Sequence, residues 1–109
     1  MRFQGMYLTV AVVITTPLYA DDVLQRAETL LNQKQNIQAY DLLTPLEDQR
    51  AGDPNYDYLL GLAFLGTGEP SRAAFAFERC LEVEPNNGPC RVQMARTHIT
   101  LGETPNARN

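Results

Sequence analysis

A spacing of 34 residues constrains this chain more than any other feature. Ala27, Gly61 and Ala95 fall on it, as do Ala39, Ala73 and Ala107, and Leu31, Leu65 and Ile99. Leu43 pairs with Phe77 and Leu46 with Cys80 at the same interval. Small residues repeat with small ones, and large apolar residues with large. Stacked helical hairpins require this, because each hairpin approaches its neighbour closely at fixed points and buries one face on it. The expected fold class is therefore all-α, a stack of antiparallel helical hairpins with about two and a half repeats.

Residues 1–20 stand outside the period. Arg2 gives a positive charge, Met6 to Ile14 is mostly apolar, and Ala20 precedes Asp21 and Asp22. A charged start, a short apolar run and a small residue before a polar segment read as a secretory signal peptide. Cleavage is expected after Ala20. The apolar run is far shorter than the roughly 20 residues needed to span a bilayer. Residues 21–109 then form one small domain. The full chain carries 9 Lys plus Arg against 13 Asp plus Glu, a net charge of −4. An acidic chain without a basic face is a poor match for nucleic acid.

Apolar positions place the helices. The first is predicted over 21–33, with Leu24, Ala27, Leu30 and Leu31 on one face. After a turn at 34–36, a second runs over 37–50, and Pro45 is expected to bend or shorten it. Gly52, Asp53 and Pro54 separate the hairpins. The third helix spans 55–65. Its internal Gly61 costs about 1 kcal/mol against alanine, so close packing by the partner helix is expected there. The fourth spans 70 to 83, and the fifth 90–101. Residues 103–109 begin a sixth, which reads as an interrupted repeat of a longer array.

These residues resemble the tetratricopeptide repeat. The unit at 54–87 carries the pattern best, with Leu60-Gly61, Phe64, Ala73, Phe77, Cys80 and Pro85 in phase. Asp57 stands where the pattern favours tryptophan. Residues 20–53 match more weakly, with Lys34 at the turn position that takes glycine, and 88–109 match in part through Ala95, Gly102 and Ala107. The resemblance implies a right-handed α-solenoid. It also implies a protein-interaction scaffold, taking a peptide or protein segment in a concave groove lined by the first helix of each repeat. In this sequence those groove positions are Leu24, Glu28 and Leu31, then Tyr58, Leu62 and Leu65, then Val92, Arg96 and Ile99. Leu24 and Glu28 occupy positions where one subgroup begins a clamp for a C-terminal carboxylate, so segments with apolar anchors fit better. Phe75 to Arg79 with Glu84 to Asn87 is also similar to repeat segments preceding outer-membrane barrels. That similarity implies a second role, assembly with a larger outer-membrane or secretion-related protein of which this chain is a segment. The expected location is an exported, periplasm-like compartment, with association at the outer membrane in the second case.

No enzyme, cofactor or metal is expected. His98 is the only histidine and takes the aromatic position of its repeat, where packing is expected. Asp53, Asp57, Glu69 and Glu78 fit neither a catalytic carboxylate pair nor a calcium loop, and read as solvated helix ends and faces. Tyr58 is assigned to the groove and Tyr56 to the interface between hairpins. Cys80 and Cys90 leave three readings: a disulfide between them, two free thiols, and a metal site or intermolecular bond. An exported chain with an even cysteine count invites a disulfide. Free thiols are nevertheless expected, because Cys80 takes a small buried position and helical geometry sets the pair slightly beyond disulfide reach. The sequence leaves the oligomeric state open.

Overall fold

A computed structural model describes residues 19–102. Most of the expected signal peptide, and the segment containing Ala107, lie outside the described residues. Five principal helices follow one another: α1 (Tyr19–Asn32), α2 (Asn36–Leu43), α4 (Pro54–Gly66), α5 (Pro70–Val83) and α6 (Gly88–Leu101), with a short α3 (Glu47–Arg50) after α2. Each packs on the next in an all-α bundle. α4 is central, touching α1, α2, α5 and α6. The period is visible in the backbone, since α2 and α5 start 34 residues apart, and so do α4 and α6.

Local chemistry sets the helix ends. Asp53 caps α4 by accepting from Asn55 N at 3.1 Å, and Pro54 follows in the first turn. Asn87 caps α6 by accepting from Cys90 N at 2.9 Å. That cap starts α6 at Gly88, two residues before its expected start, because Pro89 is tolerated in a first turn. Pro45 acts as expected. Lacking an N–H, it ends the regular α2 ladder, and Thr44–Leu46 forms a 3-10 turn before α3 resumes. The turns after α1, α4 and α6 share one conformation. Gly68 and Gly102 have φ of 83° and 72°, and Lys34, in the same register, adopts φ 64°.

The core is continuous across the first two hairpins. Leu24, Ala27, Ala39, Leu43, Tyr56, Leu59, Leu60, Ala63, Phe64, Ala73, Ala76 and Phe77 form it. At Gly61 α5 packs tightly against α4, since a Cβ there would overlap the Phe77 ring. Gly66 plays the same part for Asn36 at the start of α2, whose Nδ2 donates to Gly66 O. A second cluster joins the hairpins. Tyr40 meets Phe64 edge to face at 5.9 Å, and the Arg72 guanidinium lies 4.3 Å from the Phe64 ring centre.

The cysteines correct the sequence reading. Cys80 and Cys90 form a disulfide with Cα atoms 6.5 Å apart, and neither residue is exposed. The early start of α6 explains the difference. It places Cys90 on the inner side of the first turn, facing the end of α5, within the range a disulfide spans.

Candidate protein-binding surface

The nine groove positions fall on α1, α4 and α6, which are the first helices of successive hairpins. α4 touches both of the others. Their surroundings differ sharply. Leu24 is buried, while Leu31, Tyr58, Leu62 and Leu65 are half-buried and packed against the core. Glu28 and Arg96 are exposed, as are Val92 and Ile99 at 51% and 65%. The first two hairpins thus give a partly covered apolar band, and α6 gives an open one.

Tyr58 is held from below by Phe77, with ring centres 6.3 Å apart. Its other side lines a cleft of about 350 Å³ with Asp53, Pro54, Asn55, Glu84, Asn87 and Pro89. Tyr58, Leu62 and Leu65 lie along α4 at turn-like intervals. An extended or helical chain laid across them would meet apolar surface with a phenol at one end.

Behind this band lies a polar cluster that the sequence reading missed. Asp57 is fully buried, not solvated. Arg79 Nε and Nη2 donate to its Oδ1 at 3.2 and 2.9 Å, and Gly52 N donates to Oδ2 at 2.9 Å. Arg79 Nη1 also reaches Glu47 Oε2 at 3.3 Å. A buried ion pair therefore occupies the Asp57 position of α4. Burial acts to lower the Arg79 pKa, but the hydrogen bond to Asp57 and the charges of Asp57 and Glu47 outweigh it and raise it. The signal in the sequence was an acidic residue at a core position with an arginine on the partner helix. Tyr56 sits at the hairpin interface as expected. It is fully buried, and its hydroxyl donates to Leu43 O at 2.6 Å. Burial, with Glu47 and Asp57 nearby, pushes its pKa up to about 12.

His98 is half-buried on the other side of α6. It lines a cleft of about 260 Å³ with Ser71, Ala74, Phe75, Glu78, Met94 and Leu101. Among the described residues, no cluster of three His, Cys, Asp or Glu is placed to hold a metal, and no helix is long and apolar enough to cross a membrane.

Comparison of the chain with protein-family models, with curated proteins and with solved structures gave no match.

Proposed function

We propose that the chain is a protein-interaction module of the tetratricopeptide-repeat kind. In this reading its hairpins stack as a right-handed solenoid, and the first helices form a face that takes a peptide or protein segment. The observation that carries it is the half-covered band of Tyr58, Leu62 and Leu65 on α4. Much of that helix is packed away, with Tyr56, Leu59, Leu60, Ala63 and Phe64 all buried. A central helix with one apolar strip left open is suited to apolar anchors. The Cys80–Cys90 bridge supports an oxidising, periplasm-like setting.

Photocrosslinking in a bacterial periplasm tests the proposal. A photoreactive residue at Leu62 or Leu65 should give discrete adducts with a small set of proteins. The same residue at Glu82, exposed on α5, should not. Equal labelling at Glu82 and Leu62, or none at Leu62, would overturn it.

A further inference from the structure

The Tyr58 cleft has two walls of different origin. One is the start of α4, with Asp53, Pro54, Asn55 and Tyr58. The core fixes this wall, since Tyr56, Asp57, Leu59 and Leu60 beside it are buried. The other wall is Glu84, Asn87 and Pro89, on the turn that leads from α5 into α6. All three lie between Cys80 and Cys90, inside the loop that the disulfide closes. Their own bonds are local. Asn87 Nδ2 donates to Glu84 Oε1 at 2.8 Å, and Asn87 Oδ1 accepts from Cys90 N at 2.9 Å.

The helix behind this second wall is shallowly seated. α6 fully buries Cys90 and Thr97, whereas α4 buries seven residues. Thr97 turns its hydroxyl back onto Gln93 O of its own helix at 2.7 Å. Few buried contacts mean a low free energy of local opening. The bridge adds a covalent tie from α6 to α5, at the very residue where α6 goes under.

The bridge is also open to chemistry. Cys80 and Cys90 have no exposure, so a reductant meets the sulfurs when α6 swings outward. A dithiol suffices. One of its thiolates attacks a bridge sulfur to form a mixed disulfide, and its second thiolate displaces the protein sulfur. The bridge takes up two electrons and two protons and becomes two thiols, while the dithiol becomes a disulfide. Thiols pack as small apolar groups. The core from Leu24 to Phe77 contains neither cysteine, and it keeps its place while the loop loses its closure.

We propose that the Cys80–Cys90 bridge is a redox latch on the Tyr58 cleft. Closed, it sets Glu84, Asn87 and Pro89 opposite Tyr58. Opened by a dithiol, it lets that wall and α6 move away while α4 stays. The inference rests on the interaction-module reading, which gives the cleft its use, and adds a control to the same face. The test is amide hydrogen exchange of the full chain by NMR, first oxidised and then in excess dithiothreitol. Exchange in α6 should quicken about 30- to 100-fold, the effect of opening a short closed loop. Exchange in α2 should change less than about threefold, and the amide signals of Asn55 and Tyr58 should shift. A Cys80→Ala/Cys90→Ala chain should show the same pattern without dithiol. A bridge that resists the dithiol, or unchanged exchange in α6, would overturn the proposal. Equal acceleration in α2 and α6 would also overturn it, by making the bridge a staple of the whole fold. No partner takes part in this readout, so its failure is distinct from failure of crosslinking at Leu62.

Discussion

Arg79 Nε and Nη2 both donate to one oxygen of Asp57, and the two residues differ in what surrounds them. The Asp57 side chain has no exposure, whereas that of Arg79 keeps 30%. Removing either partner is therefore not equivalent. Arg79→Met strands a buried anion, and about 3–5 kcal/mol of destabilisation is expected. Asp57→Asn leaves an acceptor for Gly52 N and a cation that still reaches Glu47 and water, so about 1–2 kcal/mol is expected. Urea unfolding of the two variants measures the order, and the reverse order would contradict the account.

The contact between Gly61 and Phe77 predicts a compensating pair. Gly61→Ala should destabilise by about 1–3 kcal/mol through overpacking, although alanine is the better helix former. Phe77→Leu should also destabilise, by leaving a void. Together they recreate the Ala27 and Leu43 combination of the first hairpin. The double variant should be more stable than the sum of the singles by about 1 kcal/mol or more. Strict additivity in a double-mutant cycle would argue against direct contact.

Lys34 adopts a left-handed conformation that, among the described residues, is otherwise adopted by glycines. Such a conformation costs a side-chain-bearing residue about 1–2 kcal/mol, and glycine's greater freedom when unfolded cancels part of the gain. Lys34→Gly should therefore stabilise by about 0.5–1 kcal/mol, seen as a rise of a few degrees in Tm. A fall in Tm would show that the lysine side chain holds this turn.

Tyr56 makes the fold sensitive to alkali. The folded chain keeps this proton to about pH 12, while an unfolded tyrosine loses it near 10. Above pH 10 the folded state therefore binds more protons than the unfolded one. The contribution is constant below pH 10, and stability falls as pH rises from 10 to 12. Tyr56→Phe should cost about 1 kcal/mol at neutral pH by removing the bond to Leu43 O. It should also flatten the alkaline decline, and an identical decline in both proteins would count against the assignment.

Helix positions were legible in the sequence because small and large residues keep their interval. Predicted helix ends fall within about two residues of the observed ones, the usual margin, except that the helix expected over 37–50 is divided at Pro45 into α2, ending at Leu43, and α3. Gly61 was legible too, since an internal glycine needs a reason and Phe77 supplies it. Asp57 was not. Its burial depends on Arg79, 22 residues away on another helix, and periodicity says nothing of that partner. The disulfide was misjudged because its geometry turns on where α6 starts, which the Asn87 cap decides. At the candidate surface, sequence spacing put Tyr58, Leu62 and Leu65 on one helix, but it could not tell that Val92 and Ile99 lie open while Leu24 is buried.

The Cys80–Cys90 bridge also settles which α6 belongs to which α5. The last described helix of a hairpin stack is the piece most easily lent to a neighbour, and domain swapping begins when such an element leaves its own molecule. Here the turn at 84–87 lies inside a covalent ring. α6 cannot exchange partners without first breaking it. A chain that oxidises alone stays self-contained, whereas one that oxidises in a crowd of unfolded copies can be joined to the wrong neighbour.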